Sequence, residues 1–214
     1  MWNKRLITIR NISFSLILAG LGLLNSEEVF AQQIEFSGGA TQKTLFGQHK
    51  ATYKPSLGYE FGFNHQENDY RSAYTLNYGF NLGVYRLNRI ASEEGLPDQH
   101  QQLFETKALF RYDYYFNTYF SVFSGAEAGF QFVNLKSDQN VLVSPERSTE
   151  VFTKAILAPQ VGFNYEFNPY LAVYYKLSYD VGFYLGNQPD WGSPTSKWSH
   201  LLTNSLGIRL RIYN

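Results

Sequence analysis

The run from residue 170 to 185 constrains the fold more than any other stretch of this chain. Leu171, Val173, Tyr175, Leu177, Tyr179, Val181, Phe183 and Leu185 take alternate positions, and Ala172, Tyr174, Lys176, Ser178, Asp180, Gly182 and Tyr184 fill the places between them. A period of two belongs to a strand with one apolar face, because successive side chains point to opposite sides of the backbone. The run is long against the ~5–6 residues usual in a globular strand. It suits a strand crossing a hydrocarbon layer, which needs about 9–11 residues with more at each end.

The same alternation recurs along the chain. Residues 55–64 set Leu57, Tyr59, Phe61 and Phe63 against Gly58, Glu60, Gly62 and Asn64, and residues 71–87 set Tyr74, Leu76, Tyr78, Phe80, Leu82 and Val84 against Thr75, Asn77, Gly79, Asn81 and Gly83. Residues 103–116 set Phe104, Ala108, Phe110, Tyr112, Tyr114 and Phe116 against Glu105, Lys107, Arg111 and Asp113. Residues 120–135 oppose Phe120, Val122, Ala126, Ala128, Phe130 and Phe132 to Ser121, Gly125, Glu127, Gly129 and Gln131. Residues 151–167 place Val151, Ala155, Leu157, Val161, Phe163, Tyr165 and Phe167 opposite Lys154, Gln160, Asn164 and Glu166. The final run, 198–213, places Leu202, Leu206, Ile208, Leu210 and Ile212 opposite Thr203, Ser205, Gly207, Arg209 and Arg211. The weakest run, at about 33–45, has Ile34 and Phe36 on one side and Glu35, Ser37 and Lys43 on the other. These are eight candidate strands.

The connections alternate in length. Phe116-Asn117-Thr118-Tyr119 and Phe167-Asn168-Pro169-Tyr170 have the Asn and Pro of tight turns. The segment 64–70 is slightly longer and polar. Longer polar segments lie at about 46–54, 88–101, 136–149 and 186–197. Short turns on one rim and long loops on the other describe an all-β, eight-stranded antiparallel up-and-down transmembrane β-barrel, with its turns in the periplasm. A soluble β-sandwich or lipocalin-like barrel is the competing fold. It explains the alternation, with the apolar face turned inward, but not the strand length or the turn asymmetry. Aromatic residues gather where strands meet the short turns: Tyr114, Tyr115, Phe116, Tyr119, Phe120, Tyr165, Phe167 and Tyr170 are expected to form an interfacial girdle.

The composition agrees. The chain has 214 residues, enough for one domain, with 17 Tyr, 18 Phe and 17 Gly, residues that suit strands and their close approaches. Its formal net charge is zero, which argues against a nucleic-acid partner. With no Cys, disulfides, thiol chemistry, cysteine-ligated metals and an acylated-cysteine anchor are excluded. At the N-terminus, Lys4, Arg5 and Arg10 precede an apolar stretch from Ile12 to Leu24, then Val29-Phe30-Ala31 and Gln32-Gln33. That is the pattern of a secretory signal peptide, expected to be cleaved after Ala31. A membrane anchor fits less well, because the apolar run is shorter than the ~20 residues a helical span needs. The expected organisation is a signal peptide over 1–31 and a barrel domain over 32–214.

The Val-Phe-Ala-Gln-Gln junction, the Phe-Asn-Pro-Tyr and Phe-Asn-Thr-Tyr turns and the closing strand Leu206-Gly-Ile-Arg-Leu-Arg-Ile-Tyr-Asn214 together resemble the small eight-stranded outer-membrane barrel families, OmpA- and OmpX-like, and the outer membrane β-barrel proteins of Bacteroidota. The resemblance covers the whole mature chain and implies architecture and an outer-membrane location rather than an activity.

If the apolar faces meet lipid, the other faces fill the lumen. The inward set then holds Glu35, Glu60, Glu105, Asp113, Glu127, Glu166 and Asp180 with Lys43, Lys107, Arg111, Lys154, Lys176, Arg209 and Arg211, seven acids and seven bases. An eight-stranded barrel has room for little besides side chains, so these charges are expected to form an ion-pair network that stabilises the barrel. A lining of one sign would have favoured a selective pore.

The polar loop residues supply the candidates for catalytic and metal sites. His200 lies near Ser196, Trp198 and Ser199, and a Ser–His pair with a carboxylate could deacylate lipid at the rim. Barrel deacylases carry Ser and His two residues apart on one face, whereas Trp198 and Leu202 occupy those positions here. Glu93, Glu94, Asp98 and His100 could hold a hard cation in a loop, a role isolated loop residues seldom play. His49 and His100 are expected in outer loops and His65 in a turn. No catalytic residue, cofactor or metal ligand is assigned. The expected function is a non-enzymatic outer-membrane barrel working through its loops or rim, in binding, in assembly of an envelope or secretion complex, or in membrane stabilisation. The expected partners are outer-membrane lipid or lipopolysaccharide and an envelope protein, and the chain is expected to be a monomer. The alternative is a lipid-A-modifying enzyme or a narrow channel.

Overall fold

Alternating side chains commit each segment to a strand, and the polar breaks between them turn each strand back on its predecessor. The computed structural model describes residues 32–46, 54–68, 73–88, 99–137, 149–186 and 197–213. The expected signal peptide, residues 1–31, lies outside them. The strands are β1 (Gln32–Leu45), β2 (Ser56–Asn68), β3 (Tyr74–Asn88), β4 (Gln99–Tyr115), β5 (Phe120–Ser137), β6 (Thr149–Asn168), β7 (Leu171–Tyr184) and β8 (Trp198–Tyr213). Each pairs antiparallel with its neighbour in sequence, and β1 pairs with β8 to close the barrel.

The soluble alternative is overturned by the direction of the faces. Leu57 is 75% exposed, Phe61 60% and Phe110 58%, whereas Glu35, Glu105 and Glu127 have no exposed surface. The apolar face looks out and the charged face looks in. β2 and β4 run furthest beyond their alternation. β2 continues to Asn68, so His65 is a strand residue and not part of a turn. β4 begins at Gln99, so His100 is in a strand and not in a loop. Both extensions are polar in sequence, and ladder hydrogen bonds to the neighbouring strands hold them without an apolar face.

The two shortest turns are built alike. The Asn117 side-chain oxygen accepts from the Tyr119 amide at 2.8 Å, and that of Asn168 accepts from the Tyr170 amide at 2.9 Å. Each Asn thus makes the turn from its own side chain. At the other rim β7 is followed by Leu185 and Gly186, and the φ of 102° at Gly186 is one only glycine adopts without strain.

Candidate functional site

Three regions could carry function: the lumen, the outward face and the rims. In the lumen every one of the charged residues expected inside is buried, from Glu35, Lys43, Glu105, Asp113 and Glu127 at 0% to Glu60, Lys154 and Arg211 at 5%. They separate into two clusters along the barrel axis.

The loop-side cluster is a continuous alternating chain. Lys43 Nζ lies 2.6 Å from Asp180 and 2.5 Å from Glu105; Lys107 lies 3.3 Å from Glu105 and 2.5 Å from Glu127; Lys176 lies 3.1 Å from Glu127 and 2.8 Å from Glu60. Neutral side chains take up further lone pairs: Gln131 donates to Glu105, Asn81 to Glu127, and Ser178 and Thr203 to Asp180. The turn-side cluster is built on arginine. Arg111 contacts Glu35 at 2.9 Å and Asp113 at 2.7 Å, and Arg211 grips Glu166 with two nitrogens at 2.6 and 2.9 Å while reaching Glu35 at 3.2 Å. The planar fork of guanidinium suits such sharing. Arg209, 3.6 Å from Glu35, packs its guanidinium between the Phe123 and Tyr174 rings at 4.5 and 4.6 Å. The Tyr174 hydroxyl donates to Glu60 at 3.0 Å and so links the clusters. The Tyr174 ring fits because Gly39 and Gly207 face it: a Cβ at Gly39 would stand 2.6 Å from the Tyr174 hydroxyl oxygen.

Lys154 departs from the expected network. Among the described residues it forms no ion pair, and its ammonium stands 4.6 Å from the centre of the Tyr184 ring. The reason is its level. At the loop end many inward positions are apolar, and Leu45, Tyr85, Leu87, Leu103, Val133, Phe152, Tyr184 and Leu201 form one buried cluster. This cap was not anticipated. Its signal is in the sequence, as apolar residues on the otherwise polar face near the outer ends of seven strands, β2 excepted, such as Leu87, Leu103 and Phe152.

On the outward face the turn end carries a belt of rings. Tyr114 packs on Phe116 at 4.9 Å and on Tyr74 at 5.3 Å, Phe120 on Tyr165 at 6.1 Å, and Tyr165 on Phe167 at 5.1 Å. Tyr119 and Tyr170 project from the turns, each 60% exposed. Tyr74, Tyr112 and Phe163 join the belt by contact. Tyr115 must be removed from it. Position 115 shares the inward parity of Arg111 and Asp113, and its hydroxyl accepts from Gln66. Next to a run of aromatic neighbours its identity was informative, but strand alternation decides its face. At about 3.3 Å per residue and a tilt of ~40°, the outward run from Phe104 to Tyr114 rises about 25 Å, the height of an outer-membrane apolar band.

At the loop rim, alternation separates the residues that lipid chemistry would need. His200 faces outward, where its Nδ1 meets the Tyr179 hydroxyl at 3.1 Å, whereas Ser199 is buried on the lumenal face. His49, Glu93, Glu94, Asp98 and Ser196 lie outside the described residues.

A closed antiparallel eight-stranded barrel, apolar without and ionic within, is the fold of the small outer-membrane barrels. No protein-family model and no curated protein matches the sequence. In structure the chain is similar to Ail, the attachment invasion locus protein of Yersinia pestis, with a TM-score of 0.50 at 17% identity over 85% of this chain and 99% of that one. It is also similar to Ail in complex with the heparin analogue sucrose octasulfate, with a TM-score of 0.52 at 16% identity over 85% and 99% of the two chains. Against the outer membrane protein OprG from Pseudomonas aeruginosa the TM-score is 0.48 at 14% identity, over 86% and 97%. At such identities the likeness is one of fold, and this fold hosts both catalytic and non-catalytic proteins.

Proposed function

We propose that this chain is a non-enzymatic outer-membrane barrel, inserted as a monomer after loss of residues 1–31, that works through its loops and rims and not through its lumen. The observation that carries this reading is the double closure of the lumen. Ion pairs occupy its middle and its turn end, and the apolar cluster on Leu87, Leu103 and Phe152 caps the loop end. A conducting path needs water-accessible polar walls, and a lumenal active site needs a reachable cleft. The ionic clusters serve as a stabilising plug, in which each charge is kept because its partner would otherwise be stranded. The aromatic belt anchors the barrel at the periplasmic interface, with outer-membrane lipid or lipopolysaccharide against the apolar band. The polar loops and the turns at Thr118 and Pro169 are then the surfaces left for an envelope protein partner, in binding or in the assembly of an envelope or secretion complex.

The test is in-cell photocrosslinking from Thr118, Pro169 and Lys197, with mass spectrometry of the captured species and of lipid A. A discrete envelope protein captured from a turn or loop position is the expected result. Capture of lipopolysaccharide alone, with lipid A altered in a manner abolished by His200→Ala, overturns the reading in favour of a lipid-modifying enzyme. Steady conductance of the purified protein in planar bilayers overturns it in favour of a channel.

A further inference from the structure

Two amides interrupt the apolar band, and they stand side by side. Gln42 and Asn204 are cross-strand partners where β1 closes on β8. Both point outward by alternation, Gln42 between Ala40 and Thr44 and Asn204 between Leu202 and Leu206. Gln42 lies four residues below Phe46 on β1, about 10 Å down at the ~3.3 Å per residue of a strand tilted by ~40°. That depth is inside the hydrocarbon, below the rings of Phe46, Tyr179 and His200 that pack on one another at the loop rim. Asn204 is satisfied in part, because its side-chain oxygen accepts from the Tyr175 hydroxyl at 2.9 Å. The exposed Gln42 amide has no hydrogen-bond partner among the described residues. Lipid tails offer none, and an unmet polar group in hydrocarbon is costly.

The wall beside Gln42 is uneven. Ala40, the next outward residue below it, pairs with Tyr59 on β2, and Gly38 pairs with Phe61. These small neighbours leave the β2 side chains standing clear, with Tyr59 65% exposed. The Tyr59 hydroxyl also has no partner among the described residues. A projecting ring therefore stands next to a notch at nearly the same height, and lipid satisfies neither the hydroxyl of the one nor the amide beside the other. That combination is self-complementary. A two-fold axis along the membrane normal, passing between Ala40 and Tyr59, exchanges left for right and keeps height. It sets Tyr59 of each copy over Ala40 of the other, where small residues allow close approach. The Tyr59 hydroxyl then arrives beside the Gln42 amide of the second copy, a group able both to donate and to accept.

We propose that two copies of this chain pair in the membrane through the lipid-facing surface of β1 and β2, with Tyr59 of each seated at Ala40 of the other and hydrogen-bonded to its Gln42. The single barrel of the proposed function remains the unit that inserts, and pairing follows in the plane of the membrane.

Förster transfer between copies reconstituted in phospholipid vesicles tests the pairing. The chain has no cysteine, so donor and acceptor dyes are carried on separate copies at a single introduced thiol, Thr118→Cys. Transfer is followed as added lipid dilutes the protein. The expected result is transfer well above that of random encounter. Gln42→Leu and Tyr59→Phe are each expected to weaken pairing about tenfold, and together no more than either alone, because they remove the same bond. Ala40→Phe fills the notch and is expected to abolish transfer, whereas Ala128→Phe, the same change on β5 across the barrel, is expected to leave it intact. All four substitutions keep an apolar or aromatic outward residue, so insertion is expected to match the parent. Inserted parent protein with no transfer above random encounter, transfer that Gln42→Leu and Ala40→Phe leave unchanged, or equal loss with Ala128→Phe overturns the pairing. Parent protein that fails to enter the vesicles overturns the membrane placement and the pairing together.

Discussion

Replacing Lys43 by methionine isolates the contribution of the loop-side ionic chain. The substitution keeps the length and most of the volume of the side chain and removes only the charge. Two carboxylates lose a contact, at 2.5 and 2.6 Å, and their situations differ. Glu105 keeps Lys107 at 3.3 Å and the Gln131 amide. Asp180 keeps the Ser178 and Thr203 hydroxyls, at 3.1 and 3.0 Å, but no cation among the described residues. One carboxylate, 1% exposed, is left uncompensated, and stranding a buried charge in this way costs about 3–5 kcal/mol. Adding Asp180→Asn removes the stranded charge while the two hydroxyl contacts can persist. The double variant should therefore lie only ~1–2 kcal/mol below the parent, with a coupling of about 2 kcal/mol or more between the sites. Urea titration of the barrel in detergent micelles, followed by circular dichroism, measures all four members of the cycle. A loss below about 1 kcal/mol for Lys43→Met, or additive losses in the double variant, would refute the reasoning that these pairs hold the lumen.

Three further perturbations probe other parts of the barrel. Phe110→Arg places a cation at mid-height on the outward face and is expected to cost ~2–4 kcal/mol in folding into lipid; a cost within about 0.5 kcal/mol, usual for an exposed site of a soluble protein, would show that no hydrocarbon covers this face. Gly39→Val drives a side chain against the Tyr174 hydroxyl and the Leu206 carbonyl, and is expected to destabilise by about 1–3 kcal/mol, read by the same urea titration. Phe152→Ala opens the apolar cap, at an expected cost of ~3–5 kcal/mol; an unchanged urea midpoint would mean that the cap is not packed as described.

The strand–turn order, the two faces of each strand and the charged character of the lumen could be read from residue order alone. A side chain's face is fixed by whether its position is odd or even, so Glu105, Lys107, Arg111 and Asp113 had to share one side of β4 whatever they touched. The turns were legible because Asn117 and Asn168 shape their own backbone, a contact spanning two residues. Tyr115 shows that rule being stronger than composition: an aromatic neighbourhood suggested the girdle, and alternation placed it inside. What no local rule supplies is pairing between residues far apart in the chain. Lys43 reaching Asp180, Arg211 reaching Glu35, and Lys154 meeting a ring instead of a carboxylate all depend on closure of β1 on β8 and on the level at which each inward residue arrives. The apolar cap belongs to the same class. Leu87 and Phe152 were plain in the sequence, but a cap exists only when the strand ends converge. Sequence order sets the direction of each side chain because that is local geometry; the tertiary structure decides its partner because that requires the ring of strands to be closed.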